Sequence, residues 1–123
     1  MAYHIYISNS GSEFFSHFLM DEDSGALSPQ ADIALAGSPG AVATNPDGSI
    51  MFAALRSAKQ LVSYSVDKSS GQLTTIGGVV LEEGPPYLAT DNTCSYLLSS
   101  YYGSGYAGVH RINDDGTLSE EPL

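Results

Sequence analysis

The chain has 123 residues, enough for one small domain, and no apolar run approaches the ~18 residues needed to span a membrane. Lys and Arg total 4 against 14 Asp and Glu, a formal net charge of −10, which argues against nucleic-acid or anionic-lipid partners because both require a basic surface. The single cysteine, Cys94, excludes an internal disulfide. The N-terminal segment lacks the basic and apolar regions of a secretory signal, so we expect a cytoplasmic protein.

Short strand-forming segments, separated by turn sequences, follow one another along the whole chain, and apolar residues do not show helical spacing over any long window. In chain order, the predicted strands are 4–8, 14–20, 32–35, 41–44, 49–55, 60–66, 75–81, 87–90, 95–100, 107–112 and one that begins near 118. Turns rich in Asp, Asn, Ser and Gly separate several of them, at 23–25, 45–48, 69–71 and 114–116. This pattern predicts an all-β architecture.

The chain matches itself when it is shifted by 46 residues. The segment 18–27 (FLMDEDSGAL) aligns with 64–73 (YSVDKSSGQL), and 110–118 (HRINDDGTL) aligns with both after one deletion. Four antiparallel strands in a repeat of this length are typical of a β-propeller blade. We therefore predict about two and two-thirds blades: a first, partial blade over 1–37, a second over 38–83 and a third, incomplete blade over 84–123.

Propellers need about four to eight blades, because one blade cannot bury both of its faces alone. We therefore expect the chain to be part of a longer protein, or to associate with other copies. Its end blades would expose apolar faces and open strand edges, which favour self-association or pairing with the remaining blades.

Two local motifs are better explained as turns than as binding sites. The G-x-G-x-x-G pattern at 103–108 is not followed by the helix that a dinucleotide site requires. The acidic segment 21–25 has Ala26 at the sixth position, where a calcium loop needs glycine, and no glutamate closes the loop. No base is evident beside Cys94, so we do not expect it to act as a nucleophile.

The three histidines do not have the spacing of metal ligands. His110 aligns with Phe18 and Tyr64 in the other repeats, which predicts packing between blades. His4 and His17 occupy no equivalent positions. We therefore expect no metal and no other cofactor.

Loops that follow second strands and segments that enter first strands lie at the same end of each blade, where propeller ligands commonly bind. The residues at that end are Asn9, Ser10, Arg56, Tyr101, Tyr102, Ser38, Pro39, Pro85, Pro86 and Tyr87. Among them, the candidate substrate-binding residues are Arg56, Tyr87, Tyr101, Tyr102 and Asn9. An arginine beside tyrosines could hold a carboxylate or phosphate, and an exposed solubilising arginine is the alternative.

The segment 83–91 (EGPPYLATD), followed by 96–98 and 101–105, resembles the lactonase family of seven-bladed propellers. The family pattern is roughly G-x-x-P-x-[HY]-hydrophobic-x-x-D and then Y-hydrophobic-x-x-x-x-Y-x-x-G, and segments 38–48 and 67–73 fit its repeat too. The family includes bacterial 6-phosphogluconolactonases and fungal 3-carboxymuconate lactonising enzymes. The resemblance covers essentially the whole chain and about the N-terminal third of a family member.

The resemblance implies lactone chemistry without an essential metal, on a small lactone or anionic sugar acid held by arginines. It leaves open hydrolysis or muconate-type cycloisomerisation in a full-length parent. The family's catalytic groups lie mostly in later blades, so we expect them beyond residue 123 and expect this chain alone to be inactive. Tyr87 stands where many repeats carry histidine. A non-catalytic propeller piece that binds a ligand or self-assembles is the alternative.

Overall fold

The structure, a computed structural model, describes residues 2–84, 87–101 and 103–123. Within these ranges, the alternating strand and turn sequences form short strands joined by turns. The strands are β1 (Ala2–Asn9), β2 (Phe14–Asp21), β3 (Leu27–Pro29), β4 (Ile33–Ala34), β5 (Pro39–Thr44), β6 (Ile50–Leu55), β7 (Gln60–Val66), β8 (Leu73–Val80), β9 (Tyr87–Thr90), β10 (Tyr96–Tyr101) and β11 (Tyr106–Arg111). Within these ranges there is no helix long and apolar enough to cross a membrane.

The strands form three antiparallel sheets, which we call blades 1, 2 and 3. In blade 1, β2 pairs with β1 on one side and with β3 and β4 on the other. Blade 2 has four strands in the order β5-β6-β7-β8. Blade 3 has the order β9-β10-β11, and an isolated bridge joins Ile112 to Leu118. The predicted all-β fold of partial propeller blades is confirmed.

The outer strands differ most from the sequence prediction. The strand expected near Leu118 is a single bridge, and the sequence analysis predicted no strand at β3, which ends in a proline. Pro29 is tolerated there because an outer strand does not need every backbone N–H for pairing. The outer strand of blade 1 is interrupted between Pro29 and Ile33, and the register of β8 on β7 shifts between Ser63 and Tyr64.

The middle strand β6 supplies two separate cores, because successive side chains of a strand point to opposite faces. The core between blades 1 and 2 contains Phe15, Ile33, Leu35, Met51, Ala53, Leu55, Val62 and Tyr64. The core between blades 2 and 3 contains Phe52, Ala54, Leu61, Val79, Leu88, Leu97 and Leu118. Burying a side chain the size of Leu or Phe stabilises a fold by about 1.5–3 kcal/mol, so these cores hold the blades together.

The innermost strands of blades 2 and 3 run beside each other. β5 contacts β9, and the Thr90 hydroxyl donates a hydrogen bond to the Thr44 carbonyl at 3.3 Å. This contact brings the first strands of neighbouring blades together, as the axis of a propeller requires. The segments that enter these strands therefore lie near that axis.

Blades 1 and 3 each have one face turned away from blade 2. Tyr3 and Ile7 lie on the outward face of blade 1 and are 55% and 47% exposed. Tyr87 and Leu98 lie on the outward face of blade 3 and are 65% and 41% exposed. Both faces therefore present apolar surface that a neighbouring blade would cover.

Candidate functional site

A cavity of about 420 Å³ lies at the end of the blades where the candidate loops converge. Its described lining residues are Ser10, Ser38, Arg56, Ser57, Glu83 and Gly84. Ser10 follows β1, Ser38 precedes β5, and Arg56 follows β6. The structure thus brings together, in what we call the Arg56 cavity, three of the residues that the sequence places at this end.

The backbone of Arg56 is fixed by the segment that enters β5. Its N–H donates to the Ser38 carbonyl at 3.0 Å, and the Ser57 N–H donates to the Gly37 carbonyl at 3.0 Å. The Arg56 carbonyl in turn accepts a hydrogen bond from the Lys59 N–H at 3.3 Å. These bonds hold the base of the arginine in place while its side chain remains exposed.

The stem of Arg56 lies over the innermost strand of blade 2. A Cβ added at Gly40 on β5 would lie 2.8 Å from Cδ of Arg56, and one at Gly84 would lie 2.6 Å from its carbonyl oxygen. The backbone contact at Gly84 therefore requires glycine, whereas a Cβ at Gly40 would displace only the flexible side chain of Arg56. Among the described residues, the guanidinium has no hydrogen-bond or ion-pair partner, so it is available to an anion.

Glu83 is a lining residue that the sequence analysis did not select. It shares the Arg56 cavity, and its charge helps to raise the pKa of Tyr101, although burial is the main cause of that shift. A Cβ added at Gly103 would lie 3.4 Å from Oε2 of Glu83, so this carboxylate stands between the Arg56 cavity and blade 3. Its position directly before Gly84, in the segment entering a first strand, was the available signal.

Two of the other candidate residues, Tyr101 and Tyr87, do not line the Arg56 cavity. Tyr101 is 3% exposed, stacks on Tyr106 with ring centres 4.8 Å apart, and accepts a hydrogen bond from the Ser99 hydroxyl. It faces blade 2 because it shares a face of β10 with buried Leu97, and it is not among the described lining residues of the Arg56 cavity. Tyr87 is also absent from that lining, and Tyr102 lies outside the described residues.

Asn9 lies directly before Ser10, but its side chain is used within blade 1. Its amide donates to the carbonyls of Ile7 and Phe14 at 3.3 Å and to the Ser16 hydroxyl at 3.1 Å. These bonds close the turn between β1 and β2. Asn9 therefore helps to position Ser10 at the cavity.

His4 and His17 meet on one face of the β1–β2 hairpin. Nδ1 of His4 and Nε2 of His17 are hydrogen bonded at 2.9 Å, and Nε2 of His4 donates to the Lys68 carbonyl at 2.9 Å. Tyr6 donates to the Gly71 carbonyl at 2.6 Å, so this cluster ties blade 1 to the β7–β8 turn. Within the described residues, no group of three or more His, Cys, Asp or Glu side chains could hold a metal ion.

Cys94 lies in the turn between β9 and β10 with a φ of 55°, where Gly48 of blade 2 has a φ of 74°. Burial, followed by the charges of Asp91 and Asp47, raises the pKa of its thiol. A raised pKa disfavours the thiolate, which is the reactive form. The geometry thus favours a structural role for this cysteine.

Stacked antiparallel blades of three or four strands, with a polar cavity where their loops meet, define the class as a β-propeller. The family model "Lactonase, 7-bladed beta-propeller" matches residues 4–122. The chain belongs to this lactonase family of seven-bladed β-propellers.

Curated relatives and solved structures agree with this family. The chain is 30% identical to the 6-phosphogluconolactonase of Bacillus subtilis over 114 residues, which are 90% of this chain and 33% of that protein. It is 28% identical to the enzyme of the same name from Serratia proteamaculans, covering 93% of this chain and 34% of that protein. The chain therefore spans about a third of the length of these relatives.

Two solved structures show the same fold. The periplasmic gluconolactonase of Pseudomonas aeruginosa superposes with a TM-score of 0.83 at 22% identity, covering 97% of this chain and 37% of that one. A protein from Lactobacillus plantarum superposes with a TM-score of 0.85 at 22% identity, covering 98% and 38%.

Proposed function

We propose that the whole propeller to which these blades correspond hydrolyses the lactone of an anionic sugar acid, in the manner of a 6-phosphogluconolactonase. The observation that carries this proposal is the guanidinium of Arg56, which has no hydrogen-bond or ion-pair partner among the described residues, in a polar cavity near the propeller axis. The names of the curated relatives support the same reaction class.

The Arg56 cavity suits both halves of such a substrate. An arginine can form two parallel hydrogen bonds with a phosphate or carboxylate, which places the anionic group in one orientation. The hydroxyls of Ser10, Ser38 and Ser57 and the carboxylate of Glu83 can pair with sugar hydroxyls. In this proposal, Arg56 binds substrate, and the acid–base groups that activate water come from other blades.

Hydrolysis is the better supported reaction. The curated relatives carry the name of a lactone hydrolase, which favours hydrolysis over muconate-type cycloisomerisation and an enzyme over a non-catalytic module. A cytoplasmic location stays a prediction.

The proposal is tested by Arg56→Lys in a full-length propeller that contains these blades. Lysine keeps the charge but cannot form the paired hydrogen bonds, so we expect KM for 6-phosphogluconolactone to rise about tenfold, equivalent to about 1.4 kcal/mol. The melting temperature should stay nearly unchanged, because an exposed charge contributes only about 0–1 kcal/mol to stability.

Arg111→Lys is the matched control, because Arg111 is exposed and lies over the Tyr96 ring at 5.4 Å, away from the Arg56 cavity. Its KM should match the wild type. An unchanged KM in Arg56→Lys would contradict the binding role. Full lactonase activity of the 123-residue chain by itself would contradict the assignment of the acid–base groups to other blades.

We also propose that this chain, on its own, self-associates. The exposed apolar side chains on the outward faces of blades 1 and 3 support this, because open sheet faces and edges recruit further strands. In a whole propeller, neighbouring blades would cover the same faces.

A further inference from the structure

The contact between blade 1 and the β7–β8 turn depends on two imidazoles, His4 and His17, which we call the histidine pair. Nδ1 of His4 lies 2.9 Å from Nε2 of His17, and Nε2 of His4 lies 2.9 Å from the Lys68 carbonyl oxygen. Tyr6 stacks on His17 with ring centres 5.1 Å apart, and its hydroxyl donates to the Gly71 carbonyl at 2.6 Å. The pair therefore belongs to the interface between blades 1 and 2.

These bonds determine where the protons of the neutral histidine pair lie. A backbone carbonyl only accepts, so Nε2 of His4 carries a proton and Nδ1 of the neutral ring does not. Nδ1 of His4 therefore accepts from the Nε2–H of His17. Nδ1 of His17 then has no proton, and it is buried without a hydrogen-bond partner among the described residues. The neutral pair thus makes both hydrogen bonds and leaves neither of its N–H groups unpaired.

Each added proton disturbs this arrangement. With one more proton, the bond between the rings can form in either direction, but Nδ1 of His17 then carries an N–H group that has no described acceptor. With two more protons, Nδ1 of His4 and Nε2 of His17 both carry N–H groups. The bond between the rings is then lost, and two positive charges face each other.

The two rings have little room to separate in place. His17 is 3% exposed, and Tyr6 covers it by stacking. A Cβ added at Gly71 would lie 2.6 Å from Nε2 of His17 and from Nδ1 of His4, so both rings pack directly against the turn. Two charged rings must therefore displace the turn, or move blade 1 away from it.

The titratable groups around the histidine pair come from every element packed against it: Tyr6 of β1, Asp21 of β2, Asp47 of the β5–β6 turn, Tyr64 of β7, and Asp67 and Lys68 of the β7–β8 turn. Burial raises the pKa of both tyrosines, to about 12 for Tyr64, so neither is charged in neutral or acid solution. The carboxylates of Asp21 and Asp67 accept hydrogen bonds from residues of their own turns.

The remaining two charges act mainly on each other. Lys68 and Asp47 line one cavity together with His4, and the positive charge of Lys68 contributes to a lowered pKa of Asp47. Burial, followed by the charge of His4, lowers the pKa of His17 from its ordinary 6.5. Because the folded chain then binds fewer protons than the separated blades, the contact is fully stable above pH 6.5 and loses stability as pH falls below it.

We propose that the histidine pair is a pH-sensitive tie between blades 1 and 2, which holds when both imidazoles are neutral and releases blade 1 from the β7–β8 turn when both are protonated. Mild acid then loosens one blade interface ahead of the rest of the fold. This goes beyond the proposed lactonase function, because the tie involves neither the Arg56 cavity nor a substrate.

The test is hydrogen exchange of the 123-residue chain at about pH 7.5 and about pH 5, with rates corrected for the intrinsic effect of pH. Amides of β1, β2 and the β7–β8 turn should lose protection about tenfold at the lower pH, because release binds additional protons. Equal protection of these amides at both pH values would overturn the proposal.

A second buried histidine, His110, must be separated from this effect. Burial lowers its pKa too, so its protonation disturbs the contact between blades 2 and 3. His110→Phe, which copies Phe18 of the first repeat, removes this contribution. In this variant the loss of protection should remain in blade 1 and the β7–β8 turn, while β10 changes less. An equal loss in every strand would show global unfolding and overturn the proposal.

His17→Gln tests the pair itself. A glutamine amide can donate to the neutral ring of His4 and, when turned over, accept from the charged ring, so the tie should hold at both pH values. Protection of β1 and β2 should then change little between about pH 7.5 and about pH 5. A loss as large as in the wild type would contradict the role of the pair.

One further measurement needs no variant. The nitrogen chemical shifts of the imidazole rings at about pH 7.5 should show a proton on Nε2 of both His4 and His17, and none on Nδ1 of either ring. A proton on Nδ1 of His17 would overturn the arrangement from which the tie is derived.

Discussion

Gly71 is where the β7–β8 turn meets the histidine pair of blade 1. Its φ is +77°, and a Cβ there would lie 2.6 Å from Nε2 of His17 and from Nδ1 of His4. Gly25 holds the equivalent position in the first repeat, with a φ of +73° and no atom within 4 Å of an added Cβ. The two glycines therefore share a backbone conformation and differ only in their surroundings.

Alanine substitutions at these two glycines separate the cost of backbone strain from the cost of lost packing. Gly25→Ala should cost about 1–2 kcal/mol, the usual penalty for a left-handed residue with a Cβ. Gly71→Ala pays the same penalty and must also displace both imidazoles, so we expect a clearly larger loss of unfolding free energy in urea titrations. Equal losses would mean that the two histidine side chains move aside without a cost in free energy.

For single residues, the sequence predicts which side chains are buried better than it predicts which side chains touch each other. Packing of His110 between blades follows from its alignment with Phe18 and Tyr64, and it is confirmed by an exposure of 1%. The meeting of His4 and His17 depends on the register of the β1–β2 hairpin, which pairs His17 with Tyr6. Residue types alone do not specify that register, so the contact could not be predicted from spacing.

At the scale of the elements, aspartate carboxylates in the turns accept hydrogen bonds from backbone N–H groups, in place of backbone carbonyls. The Asp67 carboxylate accepts hydrogen bonds from the N–H groups of Ser69 and Ser70 and from the Ser69 hydroxyl at 2.7–3.0 Å. These bonds, led by the Ser70 N–H, lower the pKa of Asp67 to about 2. In the first repeat, Asp21 accepts the equivalent N–H bonds from Asp23 and Ser24, and its hydroxyl donor is Ser24, one position later in the turn than Ser69.

Asp67→Asn should therefore lower stability in a pH-dependent way. The folded pKa of about 2 lies below the usual 3.8, so the unfolded chain binds more protons between these values and the stabilisation is lost as pH falls through that range. The difference in unfolding free energy between wild type and variant should be constant well above pH 3.8, begin to shrink near that pH, and go on shrinking towards pH 2.

Asp114→Asn is the control for this turn effect, because Asp114 is exposed and accepts no described side-chain hydrogen bond. Its unfolding free energy should stay close to that of the wild type. A pH-independent difference for Asp67→Asn would contradict the role of its charge.

The sequence predicts the bounds of β7 in blade 2 and of β9 in blade 3 best. β7 was predicted with the bounds that it has, Gln60–Val66, because an apolar run between two turn sequences leaves little choice. The outer strands were predicted less well, since irregular pairing and exposed side chains weaken their pattern, as at Leu27–Pro29. Ser10, Ser38 and Arg56, which the sequence places at one end of the blades, line the Arg56 cavity, whereas Tyr101 of β10 faces blade 2. The sequence does not show which face of β10 a neighbouring blade covers, so this direction could not be predicted.

For the molecule as a whole, the outward faces of blades 1 and 3 determine behaviour in solution. We expect the isolated chain to form dimers or larger species at micromolar concentration, measured by light scattering. Ile7→Lys and Leu98→Lys, which place charge on the two outward faces, should each reduce the associated fraction. Tyr106→Lys serves as a control on the opposite face of blade 3, and a stable wild-type monomer that unfolds cooperatively would contradict the expectation.

The double-sided burial of β6 has a consequence for strand register. On a half-exposed strand, a slip by one residue carries polar side chains into the core, and that penalty selects the correct pairing. β6 is apolar on both faces, so a slip would exchange Phe52 and Ala53 between two cores without burying a polar group. Burial of polar groups therefore does not distinguish the two alignments. The close packing of a large ring against small neighbours must distinguish them instead. The remaining information lies outside the strand: the Asn45 side chain accepts the Ile50 N–H at 2.9 Å, so the turn before β6 sets its phase.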